Sequence, residues 1–600
     1  MQFRQATLIA NQQNYPLVPD QSNSFETLFV DFQSSPVIID SGVSKAGMQY
    51  SVFLHPKQDI AVQVLEIQFD MPLSAAARFF ANGYQSWSES RWLPVNGQIP
   101  RLRRIARRHM GLYGDAMIDG IPQGAGRLHS WTYTLLGENP AALTFLGSLN
   151  ESTGFTLFLY DHSSGILTVR KDLQGLQLSH SFPALDFVVL HTGEQTAYDA
   201  YFQLLEIKPP ARPPAIGWTS WYRHFTHISE QVLTTNLESF AAFYETIGHS
   251  SYQTATDFPA EKPGAYFQID DGWQTAVGDW LSVKPTFPGG MGRMADRIRE
   301  KGLSPGIWLA PFVAAQKSEL AQKHPDWLLK DARNKPLKVG WNPLWGGWYY
   351  ALDFYNPGVQ AYLAGVFHMV CEKWGYELLK LDFLFAVCLA PPPGKTRGQV
   401  MHEAMLLLRQ LAGNKRILGC GVPLGASFGL VDYCRIGGDI HMSWEHRLLA
   451  FLRHRERVST IASLRSTLAR WSLNGRAFHN DPDVFILRND HQHLSAVQQQ
   501  TVLVINVLLG NLLFTSDDVG EYSAEQTAEL SEALALRGSE VSAVSELEND
   551  LYRIDFEYHG QAYAAYCNLN GKGRNIEPNG GQTMLLAAFE TIILSRALSQ

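Results

Sequence analysis

A lysine and an aspartate stand two residues apart within a mainly apolar run at residues 376–388, YELLKLDFLFAVC. Alternate residues of a β-strand share one face, so Lys380 and Asp382 are predicted to point the same way. Two interpretations fit such a pair in a buried strand. One is a structural ion pair, and the other is a catalytic carboxylate with a cation beside it.

Carboxylates and aromatic residues end other apolar runs as well. The doublet of Asp270 and Asp271 lies in FQIDDGW, and Asp439 closes RIGGD. A lone aspartate after a strand is usually a helix N-cap, but a doublet exceeds that need because one cap uses one carboxylate. The other such residues at predicted strand ends are Trp221, Tyr222, Trp308, Cys420, Arg435, Asp481, Asp483, Asp517 and Asp518.

A rim of carboxylates with aromatic walls could hold a metal or cleave glycosides. No HExxH motif is present, and His441, Glu445 and His446 in HMSWEH are more typical of a polar loop, so no metal is predicted. GCGVPLG at 419–425 has the wrong spacing and a proline for a dinucleotide site. Glycoside hydrolysis needs only two carboxyl groups flanking the scissile bond, and therefore no cofactor.

The surrounding elements indicate three domains. Short alternating runs before a proline-rich linker at 209–214 predict an N-terminal β-sandwich over 1–205. Strand-like runs then alternate with helical stretches, which predicts a catalytic (β/α)8 barrel over 206–530 with its active site at the carboxyl ends of the strands. A small antiparallel β-domain is predicted over 531–600. The predicted barrel strands are 215–221, 265–270, 304–312, 377–385, 416–423, 431–439, 477–487 and 511–518.

Composition narrows the class of protein. The chain has 600 residues, 45% of them hydrophobic and 18% charged, with a net charge of −8, which is typical of a globular protein and favours neither nucleic acid nor a membrane as partner. The one dense basic cluster, RLRRIARRH at 101–109, is more typical of a solvated face or of carboxylate partners. The apolar run at 501–515 is short for a membrane span. Five cysteines without a CxxC pair and no apolar leader favour a cytoplasmic location.

Eight motifs in order carry a family resemblance. They are GWTSWYRHF, FQIDDGW, GIWLAPF, HPDWLLK, KLDFLFA, ILGCGVPLG, RIGGD and NDPDVFILR, preceded by NGYQSW at 82–87. This series resembles the family 36 glycoside hydrolases, the α-galactosidases also called melibiases, in particular their shorter bacterial members. The resemblance covers about residues 80–530 and implies the same three-part architecture.

The resemblance implies roles for the rim residues. Asp382 would be the nucleophile and Asp439 the general acid/base, with Glu445 as a weaker rival for the acid. Asp439 must then hold a proton near the working pH, so Arg435 is expected to point at the sugar or at Asp382 instead. The implied sugar-binding residues are Asp270 and Asp271 at the O4 and O6 hydroxyls, Lys380, which would also hold Asp382 ionised, Trp308, Cys420 and Arg435 in the pocket, Trp221 and Tyr222 nearby, and Trp87 at its mouth.

The implied function is hydrolysis of small α-galactosides such as melibiose or raffinose, with retention of configuration. A galactosyl transferase of the raffinose-synthase kind would use the same catalytic pair and remains the alternative. A non-catalytic sugar-binding protein is not supported, because both catalytic positions hold aspartate. Tyr84 stands where the family often has tryptophan, which concerns the outer subsites. A homo-oligomer is compatible with the sequence, but the tetramer of larger members is not carried over.

Overall fold

A computed structural model describes residues 1–38, 47–118, 120–211, 214–250, 264–578 and 582–596. Residues 212–213 of the predicted linker lie outside these ranges.

The N-terminal part consists of two antiparallel sheets packed face to face. Burial alternates along strands such as Ile60–Asp70, whose inward residues join a shared apolar core between the sheets. In hydrogen-bonded order, one sheet holds Gln13–Leu17, Gln2–Ala10, Ile60–Asp70, Ile166–Leu178, Thr156–Asp161 and Arg127–Trp131. The other holds Gln21–Ser24, Leu28–Val37, Gly47–Pro56, Phe182–Thr192, Leu143–Ser148, Tyr133–Gly137, Arg78–Ala81 and Arg91–Pro94.

The central part is a parallel sheet, here called the barrel sheet. Its strands are Ala215–Thr219, Ala265–Ile269, Ser304–Leu309, Leu378–Leu381, Arg416–Gly419, Tyr433–Arg435, the pair His479–Asp481 and Val484–Phe485, and Leu512–Thr515. Every residue of Ala265–Ile269 is buried, as expected for a strand covered on both faces. Each predicted run holds a strand of this sheet, so the predicted parallel architecture is confirmed in this respect.

The order of the barrel sheet returns to its start. His479–Asp481 pairs with Tyr433–Arg435, whereas Val484–Phe485 pairs with Leu512–Thr515. The two segments are parts of one strand, interrupted at Pro482 and Asp483. The carboxyl ends of all these strands therefore open toward one common rim.

Helices connect the strands, and local sequence sets their starts. Thr396 and Gln399 form a capping box at the start of Arg397–Ala412, and Ser495 and Gln498 do so at Ala496–Leu509. Within the described ranges, every helix falls short of the length or apolar content that crossing a bilayer demands. The α-helices are Arg107–Met110, Glu194–Leu204, Trp221–His224, Glu230–Ser250, Gly290–Glu300, Glu319–Lys323, Pro357–Phe367, Arg397–Ala412, Arg447–Phe451, Thr460–Ala469, Ala496–Leu509 and Ala524–Ala535.

Two further sheets complete the described structure. The chain between the third and fourth strands of the barrel sheet forms a three-stranded antiparallel sheet, called the insertion sheet, which was not predicted. It holds Val313–Ala315, Gly347–Ala351 and Lys338–Asn342. Near the carboxyl terminus an antiparallel sheet holds Glu540–Glu548, Leu551–Tyr558, Gln561–Asn568 and Thr591–Ser595, accompanied by the hairpin of Arg574–Ile576 and Met584–Leu586.

One buried arginine joins the sandwich to the barrel sheet. Arg470 donates from Nε to Asn82 Oδ1 at 2.9 Å, from Nη1 to the carbonyls of Ser86 at 2.7 Å and Ile436 at 2.9 Å, and from Nη2 to that of Gln85 at 3.2 Å. The first, second and fourth acceptors belong to the loop at 82–87 of the sandwich, and Ile436 follows a barrel strand. A single guanidinium thus fixes that loop against the rim.

Arg470→Met should strip these acceptors of their donor and leave them buried. We expect a loss of roughly 3 kcal/mol or more of unfolding free energy, because unpaired buried polar groups keep their full desolvation cost. A lower midpoint in thermal unfolding followed by circular dichroism would show it. Arg476→Met is the control, since Arg476 also reaches the sandwich, at Asp199, but through an exposed carboxylate. Equal midpoints for the two variants would contradict this role of Arg470.

Candidate active site

The structure gathers most of the predicted residues at the rim of the barrel sheet. Trp308 and Lys380 face each other on adjacent strands, and Asp382 directly follows the second of these. Other predicted rim residues lie at or just after the carboxyl ends of the other strands; they are Trp221, Tyr222, Asp270, Asp271, Cys420, Arg435, Asp439, Asp481, Asp483, Asp517 and Asp518.

Asp382 is buried and held at both carboxylate oxygens. Trp308 Nε1 donates to Oδ2 and the amide of Phe383 donates to Oδ1, each at 2.9 Å. Phe383 takes a left-handed backbone with φ of 54°, which is strained for a residue other than glycine. Burial raises the pKa of Asp382 to about 6, while Lys380 and the Trp308 hydrogen bond oppose the rise and the charge of Asp439 adds to it. The two carboxyl groups are therefore close enough to influence each other.

Lys380 pairs with a different aspartate from the one predicted. Its Nζ lies 2.7 Å from Asp270 Oδ2, and both side chains are buried. Burial alone would lower the pKa of Lys380, but Asp270 raises it overall, so the ammonium stays charged. Lys380 favours the charged form of Asp382, in the direction expected, but burial outweighs this effect and leaves the pKa of Asp382 raised.

Asp271, the second aspartate of the doublet, is held by a tryptophan that was not predicted to lie at this site. Trp345 Nε1 donates to Asp271 Oδ2 at 2.7 Å, and Gln274 Nε2 donates to Oδ1 at 2.6 Å. Burial raises the pKa of Asp271 against these two hydrogen bonds. Trp345 precedes a strand of the insertion sheet, and the aromatic-rich PLWGGWYY at 343–350 is the signal that could have indicated it.

Arg435 binds three carboxylates. Its nitrogens lie 2.9 Å from Asp481, 2.8 Å from Asp483 and 2.7 Å from Asp439. The prediction that Arg435 points at the sugar or at Asp382 is therefore wrong. Asp481 is its direct partner across adjacent strands, and that pairing orients the guanidinium toward the loop that carries Asp439. The side chain of Asp439 nevertheless remains 35% exposed, so it can still reach a ligand.

Asp483 lies in the interruption of the seventh strand and has a left-handed backbone with φ of 77°. The amide of Ile440 donates to its Oδ2 at 2.8 Å, and so does the hydroxyl of Tyr222. Burial raises the pKa of Asp483 to about 7; Arg435 opposes this rise, and the charges of Asp439 and Asp481 add to it. Tyr222 thus helps to hold the carboxylate of Asp483 in place. Trp221, by contrast, is half-buried at the rim and packs against Phe225 with ring centroids 5.3 Å apart.

Trp87 reaches this site from the sandwich. Its ring centroid lies 4.9 Å from that of Phe383 and 6.3 Å from that of Tyr113. It also packs on Gly421, whose φ is +58° and where an added Cβ would come within 3.0 Å of the indole. Gly421 of GCGVPLG therefore serves a turn beneath Trp87. The neighbouring Cys420 is buried, and burial with the charge of Asp382 raises the pKa of its thiol.

Glu445, the rival for the acid, serves in an ionic network. Arg457 binds Glu445 at 3.0 Å and also binds Glu89 of the sandwich. His441 Nδ1 in the same loop lies 2.7 Å from the hydroxyl of Ser443. Among the described residues, no group of three or more His, Cys, Asp or Glu side chains is arranged to hold a metal ion.

A buried constellation of aspartates, a lysine and tryptophans at the rim of a parallel barrel sheet defines a glycosidase-like site. The melibiase family model matches residues 224–413. Alpha-galactosidase Mel36A of Lactobacillus acidophilus is 32% identical over 115 residues, which are 18% of this chain and 16% of that protein. Alpha-galactosidase AgaA of Geobacillus stearothermophilus is 36% identical over 148 residues, 23% of this chain and 19% of that protein. The matched segments thus span less than a fifth of these curated relatives.

Solved structures extend the similarity over nearly the whole chain. TtGalA, an alpha-galactosidase from Thermus thermophilus, has 28% identity and a TM-score of 0.66, and the match covers 92% of this chain and 98% of that one. AgaA itself matches with a TM-score of 0.61 at 12% identity, covering 99% of this chain and 88% of that one, which is a likeness of fold. The chain is thus similar to melibiases and alpha-galactosidases, the glycoside hydrolases that its motifs resemble.

Trp308→Phe should raise the pKa of Asp382 further above about 6, because it removes the indole donor that favours the carboxylate. If Asp382 is the nucleophile that the sequence predicts, its protonated form cannot act, so the acidic limb of kcat/KM should move to higher pH by roughly one unit. The measurement is the pH profile with a chromogenic nitrophenyl glycoside. Trp345→Phe is the matched control, since its indole donates to Asp271 instead. An acidic limb that stays in place in Trp308→Phe would contradict the assignment of this hydrogen bond.

Proposed function

We propose that the chain is a retaining α-galactosidase in which Asp382 is the nucleophile and Asp439 the general acid/base. The observation that carries this proposal is the meeting of these two carboxyl groups at one rim. Asp382 is buried and fixed by two donors, and Asp439 is fixed by Arg435 yet partly exposed. A retaining enzyme needs its two carboxyls about 5–5.5 Å apart and in different protonation states.

In the first step an oxygen of Asp382 bonds to the anomeric carbon while the bond from that carbon to the leaving oxygen breaks. Asp439 gives its proton to the leaving oxygen. In the second step water loses a proton to Asp439 and attacks the same carbon, which releases Asp382 as a carboxylate. The configuration is inverted twice and therefore retained.

The arginine beside Asp439 is compatible with its acid role because three carboxylates share one guanidinium. Asp439, Asp481 and Asp483 together carry more negative charge than Arg435 neutralises, so the group as a whole favours binding a proton. The pKa of Asp483, raised to about 7 by its burial and its carboxylate neighbours, fits a proton held by this cluster near neutrality.

Asp270, Asp271 and Lys380 would recognise the galactosyl hydroxyls. The first two are buried acceptors, and the ammonium of Lys380 is a donor fixed by Asp270. Such groups reject a sugar that lacks the matching hydroxyl, because a buried acceptor without a donor is costly. This favours an unmodified galactose over 6-deoxy sugars. Trp308, Cys420 and Arg435 would line the pocket, with Trp221 and Tyr222 nearby and Trp87 at its mouth.

Small α-galactosides such as melibiose and raffinose are the proposed substrates. TtGalA was solved in complex with p-nitrophenyl α-D-galactopyranoside and with stachyose, at 28% identity to this chain. The galactosyl transferase alternative is less favoured, because the relatives named above are alpha-galactosidases. A cytoplasmic location is also proposed, supported by five buried cysteines that form no disulfide.

The proposed domains are a sandwich over 1–205, a catalytic (β/α)8 barrel over 206–530 and a small β-domain over 531–600. The last strand of the sandwich ends at Thr192 and the barrel sheet begins at Ala215. Helix Ala524–Ala535 spans the second boundary and would form the connection.

The stereochemistry of azide rescue separates the two catalytic roles. Asp382→Ala should lose nearly all hydrolysis of 4-nitrophenyl α-galactoside, and azide should enter the vacated face and give β-galactosyl azide. Asp439→Ala should still form the galactosyl-enzyme with this activated substrate, and azide should then give α-galactosyl azide. The products are distinguished by the anomeric proton coupling in NMR spectra.

Glu445→Ala is the matched control, because this carboxylate was the rival for the acid role. It should yield no azide product. An α-galactosyl azide from Glu445→Ala would transfer the acid role to that residue. A wild-type enzyme that leaves 4-nitrophenyl α-galactoside intact would overturn the proposed sugar specificity.

A further inference from the structure

The basic cluster noted in the sequence forms a surface that the proposed catalysis does not use. Arg101, Arg103, Arg104, Arg107 and Arg108, here called the basic strip, occupy one short segment that ends in helix Arg107–Met110. Arg107 is half-buried and the other four are exposed. The net charge of the chain is −8, so the positive charge of the strip is opposite in sign to the charge of the protein as a whole.

The strip lacks the carboxylate partners that such a cluster usually has. Over the described residues, no ion pair joins any of its five guanidinium groups to an acidic side chain. Arg101 bonds the neutral amide of Gln123, and Arg107 Nε is buried without a hydrogen-bond partner. Partial burial, then Arg107 and Arg104, lower the pKa of Arg101, as expected where cations crowd one another.

A nearby cavity contains arginines whose charges are paired with a carboxylate. This cavity of about 360 Å³ is lined by Arg457 and Arg465 among others, and both of these bind Glu89. The charges of these two arginines are therefore satisfied within the protein. The basic strip differs because, within the described ranges, its guanidinium groups have no carboxylate partner.

The strip lies beside the mouth of the active site. The guanidinium of Arg103 stands 4.0 Å over the ring of Phe451, and the ring of His109 stacks on Trp348 of the insertion sheet at 5.1 Å. A few residues on, Tyr113 contacts the hydroxyl of Tyr349 and packs beside Trp87. Burial raises the pKa of Tyr113 to about 12, with a smaller contribution from the charge of Asp382. One continuous segment thus runs from the wall of the pocket outward to the strip.

We propose that the basic strip is a subsite for the leaving-group side of the substrate, and that the substrates it selects are α-galactosides whose aglycone carries carboxylate or phosphate groups. The inference rests on the proposed α-galactosidase activity. A group that leaves the pocket past Trp87 and Tyr113 would follow this segment toward the strip. Guanidinium groups match the planar, bidentate geometry of carboxylate and phosphate oxygens. Several unpaired arginines in a row suit an acidic oligosaccharide with more than one charge.

Two derivatives of melibiose test the charge alone. Oxidation of its reducing end gives the aldonate melibionate, and reduction gives melibiitol, so both leaving groups are open six-carbon chains that differ by a carboxylate. For the wild type at low ionic strength we expect the KM for melibionate to be about three- to tenfold below that for melibiitol. About 0.3 M salt should remove most of the difference, because exposed charges are screened.

Arg104→Gln combined with Arg108→Gln should bring the ratio of the two KM values close to one. Lys208→Gln combined with Lys572→Gln is the control, which removes two exposed positive charges outside the strip and should keep the wild-type ratio. A wild-type ratio near one at low salt would overturn the inference. Equal loss of the ratio in the control would also overturn it, since the effect would then be one of net charge.

The alternative ligand of the strip is a second copy of this acidic chain. Sedimentation of the same variants measures whether such an oligomer forms. If the strip variant dissociates an oligomer and keeps the ratio, the strip is a contact between copies and the proposal is wrong. Failure of the underlying activity is distinguishable, because the wild type would then release galactose from neither melibiitol nor 4-nitrophenyl α-galactoside. Cleavage of melibiitol with a ratio near one rejects the anionic subsite alone.

Discussion

The contact of Arg435 with Asp439, Asp481 and Asp483 determines much of the geometry of this site. Asp481 and Asp483 flank Pro482, where the seventh strand of the barrel sheet is interrupted and changes partners. The guanidinium bridges that interruption to the preceding strand and to the loop that carries Asp439. The strained backbone of Asp483 persists because its carboxylate is engaged by Arg435, Tyr222 and Ile440 at once. Closure of the sheet and orientation of the proposed acid therefore depend on the same ionic cluster.

Burying so many charges at one rim is costly, and the structure meets the cost by pairing. Asp270 is matched by Lys380, Asp271 by two neutral donors, and Asp382 by an indole and a backbone amide. The pairing is incomplete for Asp382, Asp271 and Asp483, whose pKa values burial raises. Such incomplete compensation is typical of active sites, where carboxyl groups must change charge during a reaction. The paired cluster of Glu89, Arg457 and Arg465 is different, because the arginines lower the pKa of Glu89 to about 2 despite its burial.

The sequence predicted the rim better than its internal contacts. Runs such as Ala265–Ile269 are mostly apolar because both faces are covered, so their number and order indicate a parallel sheet, and the rim residues follow from where the runs end. Ionic partners cannot be predicted in this way. Lys380 pairs with Asp270, which is 110 positions away in the sequence, and Arg435 pairs with Asp481, which is 46 positions away. The spacings from Lys380 to Asp382 and from Arg435 to Asp439 gave no means of ranking these distant competitors. Trp345 was missed because the insertion sheet has no place in a simple alternation of strands and helices.

The site also combines two folding units with different tasks. The barrel sheet supplies the charged residues that would perform the chemistry, and its strand ends hold them within a rigid frame. The sandwich supplies Trp87, through the loop that Arg470 fixes, and the segment that holds Tyr113 and the basic strip. Changes in that segment can alter what lies outside the pocket without disturbing Asp382 or Arg435, since the contact runs through aromatic rings rather than through the ionic clusters. Under the proposed roles, selectivity for the leaving group is therefore separable from catalysis in this architecture.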